Sequence, residues 1–97
     1  MNTETSALAP IVTVYGKPGC GPCMFTGRLL TDAGIPFTYL DVTADDDALQ
    51  TIANLGYQQV PVVTVQDDEY DDWFFTHWSG ARPDLITELA TRFEERA

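Results

Sequence analysis

A chain of 97 residues with 44% apolar side chains has material for one compact domain and none for a second. Fifteen acids against five bases give a formal charge of -10, which repels phosphate backbones and anionic lipid surfaces and argues against nucleic acid or membrane as ligand. No apolar run approaches membrane-spanning length, and Met1 to Pro10 carries no base and no long apolar stretch, so it reads as neither signal nor transit peptide.

A cytoplasmic location is the resulting expectation. In a compartment that keeps ordinary thiols reduced, a lone cysteine pair points to catalysis rather than to a structural bridge. Residues 1–9 are small, polar and unpatterned and are expected to form a flexible tail, with residues 10–97 as a single domain. Ile11 to Tyr15 is a β-branched run ending in Gly16-Lys17-Pro18-Gly19, the pattern of a buried strand followed by a sharp loop. Beyond the loop, Met24, Phe25, Leu29, Leu30 and Ala33 gather on one side of a helix that Gly34 stops, so the cysteines fall at a helix start. Pro36 to Val42 reads as a second strand. Thr43 is placed to cap a second helix, with Asp45, Asp46 and Asp47 in the first turn where negative charge suits the helix dipole. Ala48, Leu49, Ile52, Ala53 and Leu55 form its apolar side before Gly56. Val62 to Val65 and Asp72 to Trp78 read as paired strands about an acidic turn, Gln66 to Asp71. Arg82-Pro83-Asp84 opens the last helix, with Leu85, Ile86, Leu89, Ala90 and Phe93 facing inward. The order βαβαββα predicts an α/β fold: a four-stranded mixed sheet, first half a right-handed parallel crossover and second half an antiparallel hairpin, flanked by three helices.

Cys20 and Cys23 lie three residues apart at the entrance to a helix behind a strand, a spacing that resembles the redox site of thioredoxin-like proteins. Thiol exchange needs a thiolate, and a free cysteine with a pKa of about 8.5 supplies little of it at neutral pH. The helix N-terminus offers Cys20 unpaired backbone donors and partial positive charge, and Lys17 lies in the same loop. Cys20 is therefore the expected nucleophile. Cys23, one turn further in, is the expected resolving thiol, able to attack only a sulfur already joined to Cys20. Gly21 and Pro22 separate the sulfurs, and Pro22, with a fixed φ and no amide donor, stiffens that link. The competing readings are a zinc half-site, an inert disulfide or two packed cysteines. A zinc site usually needs four protein ligands, and His77 is the only histidine. A disulfide closing so short a loop restrains little of the unfolded chain.

Val60-Pro61 is the second constellation. Alone, a proline before a β-branched run can simply open an edge strand. Thioredoxin-like proteins place a cis-proline at this point of the fold, beside the cysteines, where the preceding backbone pairs with a substrate segment; the resemblance therefore implies a cis Val60–Pro61 bond.

Lys17-Pro18-Gly19-Cys20-Gly21-Pro22-Cys23, Val60-Pro61-Val62-Val63 and above all Trp78-Ser79-Gly80-Ala81-Arg82-Pro83-Asp84 resemble the NrdH-redoxin family over roughly residues 11 to 93. The resemblance implies the thioredoxin fold and a dithiol electron carrier with no bound cofactor beyond a redox-active Cys20–Cys23 disulfide. It also implies reduction by thioredoxin reductase with NADPH, and class Ib ribonucleotide reductase as the protein reduced. A monomer is expected. Ala81 stands where the family usually has phenylalanine, and Gly-Pro between the cysteines replaces its usual Val-Gln or Pro-Gln in the manner of thioredoxin. If this dipeptide tunes the pair as in thioredoxin, a potential near about -270 mV is the first expectation. The acidic hairpin is longer than the family's short turn.

Trp78 has a core reading and a contact reading; before Ser79-Gly80, near the cysteine end of the sheet, an exposed indole would suit a partner surface. Trp73, Phe74 and Phe75 are expected to pack inward. Arg82 anchors the loop or is solvated. Two other functions compete: a glutathione-dependent glutaredoxin, whose Gly-Gly and Asp signature is replaced here by Ser79-Gly80-Ala81-Arg82, and a redox-independent binding subunit of the same fold.

Overall fold

The structure, a computed structural model, describes residues 11–67 and 74–96. The expected tail and the tip of the acidic turn, with Trp73, lie outside these residues. The elements run β1 (Ile11–Gly16), α1 (Gly21–Asp32), β2 (Thr38–Asp41), α2 (Asp46–Asn54), β3 (Val62–Asp67), β4 (Phe74–Ser79) and α3 (Pro83–Arg96). The parallel β1–β2 pair and the antiparallel β3–β4 hairpin of a four-stranded mixed sheet are as the sequence predicts; β1 also pairs antiparallel with β3, which sets the order β2-β1-β3-β4.

Alternation along the strands divides the core in two. Val12, Val14, Val63, Val65 and Trp78 pack with Leu30 and Ile35 of the α1 region and with Ile86 and Leu89 of α3. On the opposite face Tyr15, Val42 and Val62 pack with Ala48 and Ile52 of α2. Helices α1 and α2 end alike. Gly34 and Gly56 follow the last turns, the Gly34 N–H donates to Thr31 and that of Ile35 to Leu30, and Gly56 and Tyr57 repeat the pattern on Ala53 and Ile52. These are Schellman closures, and the first also seals Leu30 against Ile35.

The inward face of α1 differs from the apolar reading. Its buried residues are Cys23, Thr26 and Leu30, while Met24 is 67% and Phe25 47% exposed. Thr26 can be buried because its hydroxyl donates to the Pro22 carbonyl at 2.9 Å, so no polar atom is stranded. In α2 the cap is Asp45, whose carboxylate accepts from the Ala48 N–H at 3.0 Å. Thr43 instead donates its N–H and hydroxyl to Asp41, closing a turn before the helix. Leu49 and Phe75 are likewise exposed rather than packed.

At one end of the sheet Gly80 turns the chain from β4 toward α3 with φ +90° and donates its N–H to the Pro61 carbonyl at 2.9 Å. Pro83 takes the first helical position of α3, as predicted, and the Arg82 carbonyl accepts from Leu85 and Ile86.

Two measurements check this packing. Leu30→Ala, at a fully buried site, is expected to lower unfolding free energy by about 2–5 kcal/mol, and Met24→Ala by no more than about 0.5 kcal/mol, in equilibrium urea unfolding. Gly80→Ala is expected to cost about 1–2 kcal/mol in the same assay through backbone conformation alone, because nothing lies within 4 Å of the added methyl.

Candidate active site

Strand β1 delivers the chain to the site. After Gly16 the loop Lys17-Pro18-Gly19 leads to Cys20, which is extended, with φ -97° and ψ 106°, and serves as N-cap of α1. Gly21 and Pro22 occupy the first helical positions and are exposed. The Cys20 carbonyl accepts from the Met24 N–H at 3.1 Å, and the Cys23 N–H points at the Cys20 sulfur at 3.2 Å. The two cysteines are joined as a disulfide with their Cα atoms 5.2 Å apart, the oxidised state of the pair. Residue exposure separates them: 7% for Cys20 and 0% for Cys23. A donor aimed at a sulfur held at a helix N-terminus favours the thiolate over the thiol, so the local geometry supplies what the chemistry of exchange requires.

The Val60–Pro61 bond is cis. The pairing of Tyr15 with Val62 sets Pro61 beside Gly16, where β1 runs into the cysteine loop. Strand β3 begins only at Val62, which leaves the Val60 backbone outside the ladder. Ser79 pairs with Val62 and Gly80 bonds Pro61, so the cysteine loop, the proline turn and the Ser79-Gly80 turn meet at one end of the sheet.

Two expectations change. The exposed indole suggested for Trp78 is not found: the residue is 7% exposed and belongs to the core against α3, because with Thr76, two residues before it, it lies on the face that Val63 and Val65 share. Its indole N–H is buried without a partner among the described residues. Arg82 is exposed and makes its two-pronged contact, at 3.1 and 2.8 Å, with Asp84 of its own helix rather than with the Ser79-Gly80 loop. Those bonds hold the Asp84 carboxyl below its ordinary pKa, but the exposed pair adds little stability. Lys17 is exposed in the loop, and its carbonyl accepts from the Tyr39 hydroxyl at 3.4 Å.

Tyr39, to which the sequence assigns no site role, and Gly16, expected only to open the loop, both border the cysteines. A Cβ on Gly16 would overlap the Tyr39 ring and hydroxyl and come within 3.1 Å of the Cys23 Cβ. Only the parallel register of β1 and β2, which opposes Val14 to Tyr39, brings these residues together. A cleft of about 380 Å³ lined by Val65, Thr76, Trp78, Leu85 and Glu88 opens between β4 and α3, but it includes neither cysteine. Among the described residues no group of three or more His, Cys, Asp or Glu side chains is gathered to hold a metal, and no helix is long and apolar enough to cross a membrane.

Comparison with known proteins agrees with this geometry. The sequence matches the glutaredoxin family over residues 12–70. It is 33% identical over 78 residues to the glutaredoxin-like protein NrdH of Salmonella typhimurium, spanning 80% of this chain and 86% of that one. It is 40% identical over 81 residues to the Gene 56 protein of Mycobacterium phage L5, spanning 80% and 70%. Among solved structures, NrdH-redoxin from Escherichia coli superposes with a TM-score of 0.66 at 30% identity, covering 81% of this chain and 93% of that one. Chloroplastic thioredoxin z superposes with a TM-score of 0.70 at 19% identity, covering 94% and 83%, and shows the shared fold. A thioredoxin fold carrying a joined Cys20–Cys23 pair at a helix start, with NrdH proteins as relatives over most of its length, belongs to the glutaredoxin family as an NrdH-type thiol-disulfide oxidoreductase.

Proposed function

We propose that this oxidoreductase is a cytoplasmic, monomeric electron donor that reduces class Ib ribonucleotide reductase and is itself reduced by thioredoxin reductase at the expense of NADPH. Cys20 is its nucleophile and Cys23 its resolving thiol. The observation that carries the division of roles is the first turn of α1: the only described donor aimed at a cysteine sulfur points at Cys20, which is also the more exposed of the two.

The cycle follows from thiol exchange. The Cys20 thiolate attacks one sulfur of a partner's disulfide, a mixed disulfide forms, and the partner's other sulfur leaves as a thiolate. Cys23, having lost its proton to solvent, attacks the Cys20 sulfur. The Cys20–Cys23 bond forms as the partner's second sulfur leaves, so the partner gains two electrons and this protein is left oxidised. The surroundings suit a protein substrate: Met24 and Phe25 expose apolar surface immediately after Cys23, and the free backbone before cis-Pro61 can pair with an extended segment.

The choice of reductant rests on relatives. The Escherichia coli NrdH-redoxin is described by a thioredoxin-like activity profile, and Ser79-Gly80-Ala81-Arg82 stands where glutaredoxins carry their glutathione-binding Gly-Gly and Asp. A glutathione-dependent cycle is the second reading, favoured by the family match alone.

In a cell extract, Cys23→Ser is expected to accumulate a covalent mixed disulfide through Cys20, whose partner mass spectrometry then identifies. Cys20→Ser is expected to trap little and to lose at least about 99% of disulfide reductase turnover. Trapping mainly through Cys23 would reverse the roles. In a coupled assay NADPH should be consumed with thioredoxin reductase, and consumption only with glutathione and glutathione reductase would establish the second reading.

A further inference from the structure

Cys23 has a difficulty that Cys20 does not. It is fully buried beside the apolar core, and burial pushes a thiol pKa up, yet resolution requires the thiolate. The helix start does not relieve this, since the Cys23 N–H is directed to the Cys20 sulfur. Of the polar groups near Cys23, the Thr26 hydroxyl is committed to the Pro22 carbonyl at 2.9 Å.

Tyr39 of β2 is differently placed. It stands opposite Val14, on the face of the sheet that α1 covers, and its ring lies over Gly16. The point that a Gly16 Cβ would occupy touches the Tyr39 hydroxyl and lies 3.1 Å from the Cys23 Cβ, so the phenol and the cysteine border the same spot. Glycine at this position therefore leaves the room that the phenol takes up over β1, close to the cysteine. The hydroxyl donates to the Lys17 carbonyl at 3.4 Å, long for an O–H donor, so its proton is weakly engaged and available to a stronger acceptor. Tyr39 is 41% exposed, and the partial desolvation of its hydroxyl, and then the negative charge of Asp41, keep its pKa above the ordinary tyrosine value, so at neutral pH it remains a donor. The titratable and charged groups around the pair are thus Cys20 at the helix start, Lys17 in the loop, and Tyr39 and Asp41 on β2.

We propose that Tyr39 is a positioning residue for the resolving step: once the disulfide is open, its hydroxyl turns from the Lys17 carbonyl to the Cys23 sulfur and stabilises the thiolate there. This rests on the reading of Cys23 as resolving thiol. The proton of Cys23 passes to solvent, not to Tyr39. The thiolate then attacks the Cys20 sulfur, the Cys20–Cys23 bond forms, and the electron pair of the broken bond leaves on the partner's sulfur.

The test titrates Cys23 where it is the sole cysteine, in Cys20→Ser, by the carbon-13 shift of its Cβ, with Tyr39 and with Tyr39→Phe. Phenylalanine keeps the ring over Gly16 and removes only the hydroxyl. The Cys23 pKa is expected to rise by about one unit, a tenfold loss of thiolate at neutral pH. The Cys20 pKa, measured in Cys23→Ser, should move by less than about 0.3 unit on the same substitution. In the two-cysteine protein, single-turnover release of a partner thiol should slow about tenfold at neutral pH and recover above the shifted pKa. An unchanged Cys23 pKa, or an equal shift at Cys20, would overturn the proposal. Should Tyr39→Phe fail to fold, Gly16→Ala in the same background displaces the hydroxyl and should raise the Cys23 pKa in the same sense; no rise would overturn the proposal equally. Trapping through Cys23 would refute the assigned roles while leaving the titration to report on the Tyr39 contact alone.

Discussion

The Cys23 N–H aimed at the sulfur of Cys20, 3.2 Å away, requires a chain that changes from extended to helical at Cys20 itself. A residue in the extended region presents its side chain back over the first turn, where backbone donors lack partners. Serine or aspartate usually fills that place with oxygen; here sulfur does. The rest of the molecule holds this turn still. The β1 strand, paired on both sides, fixes where the loop begins, and Leu30 with its Schellman closure fixes where the helix ends. Pro22 and the Thr26 hydroxyl stiffen the turn between them.

The topology also explains why three segments distant in sequence meet at this turn. β1 and β2 end there, β3 begins there, and β4 ends there. Because β3 runs against both neighbours, its first residue lies level with the last residues of β1 and β4, which puts Pro61 between the cysteine loop and Gly80. The Trp78-Ser79-Gly80 segment therefore holds this end of the sheet together. The indole ties β4 to α3 in the core, Ser79 extends the ladder, and Gly80 holds the Pro61 carbonyl.

Features written in local patterns were legible in the sequence. The strand run before Gly16, the cysteine spacing, the proline at the start of α3 and the glycine stops of α1 and α2 each depend on neighbouring residues, and the element order follows from them. The inward face of α1 was not legible, because hydrophobicity assigns Met24 and Phe25 to the core while the buried positions belong to a cysteine held by its disulfide and a threonine whose hydroxyl bonds within the helix. The cap of α2 lies two residues beyond the expected Thr43 for a similar reason: Thr43 and Asp45 are both capable caps, and Asp41 engages the threonine first. Sequence alone leaves Trp78 between two surfaces, and the pairing with Val63 sets its face. Tyr39 could not be found from the chain alone, since its nearness to Cys23 exists only in the register of two parallel strands.

The same end of the sheet gathers the N-termini of α1, α2 and α3, each following a strand or loop that terminates there, and each carries partial positive charge. The acids are not shared equally among them. α2 has Asp45 as its cap and Asp46 and Asp47 in its first turn, and α3 has Asp84. The first turn of α1 has none, in a chain with fifteen acids. A carboxylate there would compete with the Cys20 sulfur for the same backbone donors and raise the energy of a thiolate beside it. Two of the three helix starts are thus occupied by fixed negative charge that serves stability. The third is left for a sulfur whose charge comes and goes with the reaction.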